Sequence, residues 1–104
     1  MAFPDPRDHR ISLQAAAELT RRYRESDPGQ VKACMFPRGA FEAILKQPNC
    51  LGIRLYFGRN EKGALDVVMV GVDGDGRDMK TGELEQNGYP CPPFCDDDDK
   101  ELNG

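Results

Sequence analysis

Leu51, Ile53, Leu55 and Phe57 alternate with Gly52, Arg54 and Tyr56, the two-residue period of a strand that turns one face to a core. Residues 50–58 are therefore predicted as a β-strand. "RNEKG" at 59–63 supplies turn chemistry and "ALDVVMVGV" at 64–72 reads as a second strand, so the two form a hairpin. The second strand places Leu65, Val67 and Met69 on one face and Val68, Val70 and Val72 on the other, which predicts burial on both sides.

Two stretches carry helical spacing instead. In "ISLQAAAELTRRYRE", 11–25, Ser12 is the expected N-cap, and Leu13, Ala15, Ala16, Leu19 and Tyr23 form one apolar stripe. Arg21, Arg22 and Arg24 suit the C-terminal end of the helix dipole, and Pro28 with Gly29 ends the element. A second, shorter helix is expected to begin near Pro37, with Phe41, Ile44 and Leu45 on one side and Pro48 at its end. "QVKACMF" between them is open to two readings, a short strand or the entry to the second helix. Beyond Val72 the pattern weakens, and residues 79–84 read as a short strand or a turn.

The predicted fold class is α+β: two N-terminal helices packed on a small antiparallel sheet built on a β-hairpin, with a proline-rich C-terminal covering segment. A chain of 104 residues is expected to make a single domain, with a flexible arm at 1–10 and an acidic disordered tail at 96–104. Because two helices cover only one face of so small a sheet, the other needs the C-terminal segment, a third strand or a second copy of the chain.

Charge narrows the function classes. A formal net charge of −4 argues against nucleic acid as a general partner, since phosphate neutralisation needs surplus Lys and Arg on some face. Much of the acidity sits in Asp96–Asp99, so the body is close to neutral. No run approaches the roughly 18 apolar residues of a membrane span, and "MAFPDPRDHR" has no apolar core of a secretory signal. A cytoplasmic protein without membrane partners is expected, with its four cysteines as reduced thiols.

Enzymatic chemistry finds no positive support. "DGDGRD" at 73–78 begins like a calcium loop, yet the fifth, sixth and twelfth positions hold Arg77, Asp78 and Leu84 where an EF-hand needs an oxygen ligand, glycine and glutamate. A tight turn is the better reading. His9 stands alone in the expected arm, and no glycine-rich phosphate loop follows a strand.

"GYPCPPFCDDDDKELNG", 88–104, holds the remaining candidates. Cys91 and Cys95 have a spacing allowed for one half of a thiolate zinc site, but Cys34 and Cys50 make no second close pair. If the intervening prolines ran as polyproline II, the two Cα atoms would lie about 12 Å apart. A disulfide needs about 7 Å or less, which only a turn at Pro93 and Phe94 would give. Packing or local rigidity is thus the first reading, with a disulfide, zinc or a thiol-redox pair as alternatives. Tyr89, Pro92, Pro93 and Phe94 form a stiff segment that loses little entropy on docking, either on its own sheet or in a partner's aromatic groove. "DDDDK", 96–100, matches the recognition sequence of enteropeptidase and reads as a solvated run of repelling charges.

The combination of "ISLQAAAELTRRYRE", "CLGIRLYFG", "VVMVGVDGDGRDM" and "GYPCPPFC" resembles a family of short bacterial proteins of the Bacteroidetes type with no established activity. The likeness runs from Ile11 to Cys95, and "GYPCPPFC" is its most distinctive part. It implies a cytoplasmic bacterial setting and assigns no catalytic residues. The leading expectation is a non-enzymatic protein-interaction module that self-associates through its sheet as a homo-oligomer. The alternative is a small metal-binding or thiol-redox protein using Cys91 and Cys95.

Overall fold

The computed structural model describes residues 5–104. The fold is α+β, with helices α1 (Leu13–Ser26) and α2 (Arg38–Leu45) and strands β1 (Ala33–Met35), β2 (Gly52–Arg59), β3 (Leu65–Val72), β4 (Leu84–Glu85) and β5 (Tyr89–Cys91). The strands make two antiparallel sheets, β1-β5 and β2-β3-β4. The chain divides into two compact units. One holds Phe36–Gly88 with the described start of the chain, residues 5 and 6; the other holds Arg7–Met35 and Tyr89–Gly104. The arm expected at 1–10 lies partly outside the described residues, and residues 5–12 contain no helix or strand.

The first unit is the predicted hairpin with its helix. β2 and β3 pair from Gly52↔Val72 to Arg59↔Leu65. Their register is pinned at the turn, where the Asn60 carboxamide oxygen accepts from the Lys62 and Ala64 amides at 2.9 and 3.0 Å and Gly63 takes a positive φ of 83°. β4 then adds to β3 through Met69↔Glu85 and Val70↔Leu84. Opposed residues share a face, so Ile53, Leu55 and Phe57 stand beside Gly71, Met69 and Val67.

α2 covers one end of that face. A Cβ at Gly71 would stand 3.1 Å from Cys50 Sγ and 3.2 Å from Ile44 Cγ2, so the glycine is what lets the helix end approach the strand. Ile44 and Met69 are fully buried, and Val67, Val70 and Val72 nearly so. Burying each such side chain is worth roughly 1.5–3 kcal/mol relative to exposure. Val68, expected inside, is exposed.

The second unit contains α1, β1 and the C-terminal segment. "QVKACMF" resolves as β1, which pairs with β5 through Ala33↔Cys91, Cys34↔Pro90 and Met35↔Tyr89. The proline-rich segment thus supplies a strand, β5, and the turn after it to the sheet of this unit. Ser12 caps α1 as predicted, accepting from the Ala15 amide at 3.1 Å. The apolar stripe differs: Leu13 and Leu19 are exposed, whereas Ala16, Ala17, Thr20 and Tyr23 are half-buried. Polar anchors set this rotation. Tyr23 donates its hydroxyl to the Val31 carbonyl at 2.9 Å, and Arg24 Nη1 donates to the Leu102 carbonyl at 2.6 Å.

The expected open tail is folded into turns. Asp96 Oδ1 accepts from the Asp98 amide at 3.1 Å, and Asp99 Oδ1 accepts from the Glu101 and Leu102 amides at 3.0 and 2.9 Å. Short carboxylates that capture amides two and three residues ahead outweigh their mutual repulsion at this spacing. Among the described residues, no helix is long and apolar enough to cross a membrane.

Candidate functional site

Two places collect chemistry, one in each unit. In the second unit the chain leaves β5 and reverses at once. The peptide bonds Cys91–Pro92 and Pro92–Pro93 are cis, the Phe94 amide donates to the Pro90 carbonyl at 2.9 Å, and the Cys95 amide donates to the Pro93 carbonyl at 3.0 Å. The Cα atoms of Cys91 and Cys95 are brought to 4.8 Å and their sulfurs are bonded. The pair expected as reduced thiols is thus a cystine, because the chain turns where an extended path was the first reading. In this form neither sulfur is a thiolate ligand, and a zinc role for Cys91 and Cys95 would require the bridge to be reduced. Among the described residues, no group of three or more His, Cys, Asp or Glu side chains converges on a metal-sized site.

The expected docking residues flank this bridge. Tyr89 and Phe94 meet edge to face, with ring centroids 5.4 Å apart, and both rings stay exposed. Pro93 forms the turn, and Pro92 lines a cleft of about 300 Å³ together with Tyr23, Asp27 and Pro28. A second cavity of about 330 Å³ is lined by Lys32, Phe94, Asn103 and both bridged cysteines. Inside it, Asn103 Oδ1 lies 3.6 Å from Cys91 Sγ and accepts from Lys32 Nζ at 3.0 Å. Lys32 also donates to the Asn103 carbonyl at 3.1 Å, and its amide donates to the Cys91 carbonyl at 2.7 Å.

In the first unit the site is the outer edge of β2. Sheet order leaves this strand at the margin, and among the described residues no strand pairs with its far side. The Asn60 amide donates to the Ala64 carbonyl at 2.9 Å, one position beyond Arg59↔Leu65. Because inward and outward groups alternate along an antiparallel ladder, Arg54, Tyr56 and Gly58 direct their main-chain groups to β3, and Ile53, Leu55 and Phe57 direct theirs outward. Along the same edge, Leu55, Tyr56 and Phe57 are 49%, 47% and 78% exposed.

Asp78 fastens the opposite face of this strand. It accepts from Arg54 Nη1 at 2.6 Å and from the Tyr56 hydroxyl. The Tyr56 hydrogen bond, assisted by Arg54, holds the Asp78 carboxyl below its ordinary range even though partial burial opposes the shift. The same bond raises the Tyr56 phenol, and Asp78 raises the Arg54 guanidinium. A tyrosine and an arginine are thereby fixed on one face while Leu55 and Phe57 remain on the other.

Sequence reasoning missed Asp78, Lys32 and Asn103. Asp78 falls in the calcium-like loop that the ligand positions exclude, though Arg54 and Tyr56 at alternate strand positions ahead of an acidic turn are a usable signal. Lys32 lies in the segment with two readings, and Asn103 in a tail whose like charges predict an open chain. Comparison of the chain with family models, curated proteins and solved structures finds no match.

Proposed function

We propose that the chain is a non-enzymatic interaction module, and that the open β2 edge takes the same edge of a second copy. The observation that carries this reading is the coincidence on one strand of an edge that no strand pairs among the described residues and of exposed Leu55, Tyr56 and Phe57. An eight-residue edge strand with apolar side chains is a template for further strand pairing.

Self-pairing is favoured by the strand's own order of residues. An antiparallel match centred on Leu55 sets Leu55 against Leu55 of the second copy and Ile53 against Phe57 on one face. On the other face Arg54 meets Tyr56, a cation against an aromatic ring, and no like charges are opposed. The two three-stranded sheets would continue into one.

Mass measurement across a concentration series tests this. A dimer that Leu55→Lys converts to monomer is expected, since the substitution puts two ammonium groups at the two-fold centre. A wild-type chain that stays monomeric at high concentration, or a variant that remains dimeric with native circular dichroism, overturns the reading.

A further inference from the structure

We infer that Cys91–Cys95 is a thiol–disulfide exchange site in which Cys95 is the sulfur attacked and Cys91 the thiolate released, with a low-molecular-weight thiol or a dithiol as reductant. The cystine forms part of the wall of the cavity of about 330 Å³, so a thiol has a place to approach. The two sulfurs are not equivalent there. Cys91 is 6% exposed and held by β1, through Ala33↔Cys91 and the Lys32 amide. Cys95, past the turn, is half-buried and reachable.

Charge makes the same distinction. Asn103 Oδ1 contacts both Cys91 Sγ and the Lys32 ammonium, which keeps a cation one atom away from the sulfur that must accept the electron pair. A nearby ammonium stabilises a thiolate, and a better leaving thiolate speeds exchange. Once the released Cys91 has taken up a proton, Asn103 Oδ1 at 3.6 Å is within reach as an acceptor for its S–H, a contact that serves the fully reduced form and not the leaving thiolate.

A thiolate R–S⁻ attacks Cys95 Sγ, the R–S–S–Cys95 bond forms, and the Cys91–Cys95 bond breaks with its electron pair left on Cys91. A second thiolate, from the same dithiol or another thiol molecule, attacks the R sulfur and releases Cys95 as thiolate. Two electrons reduce the protein disulfide, and the two thiols become one disulfide. Because Cys91 is four residues from Cys95, the released thiolate stays beside the mixed disulfide and can close the ring again.

The test treats the oxidised full-length chain anaerobically with reduced glutathione, quenches by rapid alkylation, and assigns both cysteines by fragment mass spectrometry. Glutathione on Cys95 with the alkyl group on Cys91, at least tenfold over the reverse, is expected. Lys32 acts as a positioning residue: Lys32→Met should slow opening several-fold and raise the pH at which Cys91 recloses on the mixed disulfide, and Lys32→Arg should restore both. Adduct on Cys91, equal labelling of the two, no reduction of the bridge, or reclosure with an unchanged pH dependence in Lys32→Met overturns the assignment. None of these outcomes depends on pairing at β2, so this inference and the proposed function fail separately.

Discussion

Among the described residues, the helix-and-hairpin unit contains five buried apolar side chains, Ile44, Val67, Met69, Val70 and Val72, whereas the unit built on α1 contains Cys91, which is half of a cystine. The first unit is held by packing around Met69. The second is held by a covalent ring, by Tyr23 and Arg24 anchored on carbonyls, and by Lys32 on Asn103. α1 buries no residue fully. A chain with 38% hydrophobic residues has gathered its apolar core in one place and uses crosslink and polar ties in the other. Substitutions and reductants should therefore act on different halves.

The largest effect is expected at Met69. Met69→Ala leaves a cavity in a fully buried site and should cost about 2–5 kcal/mol, read from urea unfolding. Hydrogen exchange should show the loss in β2 and β3 amides, with β1 and β5 amides little changed. Equal loss in both sheets would show that the stability of β1 and β5 also depends on the Met69 core.

A smaller and opposite response is expected from the bridge. Reduction, or Cys95→Ser, releases a ring whose ends are four residues apart, for which chain entropy gives about 2 kcal/mol. Protection should fall in Ala33–Met35 and Tyr89–Cys91 while the hairpin keeps its exchange rates. A hairpin that loosens on reduction would show that the cystine supports both units.

The smallest effect concerns acid. Asp78 has a folded-state pKa below its ordinary value, so its ties to Tyr56 and Arg54 contribute fully above the ordinary carboxylate pKa and are lost as pH falls through the lowered folded value. Asp78→Asn should flatten the acid limb of hairpin stability and leave the β1-β5 amides unaffected, measured by exchange between neutral pH and about pH 3.

What the chain made legible follows the same division. The period of Leu51 to Phe57 identified β2, the i, i+3, i+4 set of Phe41, Ile44 and Leu45 identified α2, and Asp73, which accepts from the Asp75 and Arg77 amides, makes the expected turn. Period and turn chemistry suffice to place these elements there, although of the apolar residues that carry the two periods only Ile44 is fully buried and Leu51, Leu55, Phe57, Phe41 and Leu45 stay exposed. In the other unit, polar and covalent ties decide. α1 was legible as a helix with its Ser12 cap, but its rotation answers to Tyr23 and Arg24, which a count of apolar positions does not weigh. β1 is three residues long, too short to show a period, and is defined by its partner β5. The path of Pro92 and Pro93 was open between extended and turned, and the fate of both sulfurs hung on that local choice. Likewise the edge of β2 follows from sheet order, since nothing in Gly52–Arg59 alone says which side stays open.

The folded acidic turn has a kinetic meaning. The amides that Asp99 holds belong to Glu101 and Leu102, immediately after Lys100, so the bond that enteropeptidase would cut is spanned by the carboxylate's own hydrogen bonds. A protease that draws its substrate into an extended strand must first release them. Cleavage after Lys100 then runs no faster than the segment opens, and the protein carries within its own chain a gauge of local unfolding whose rate can be read on a gel.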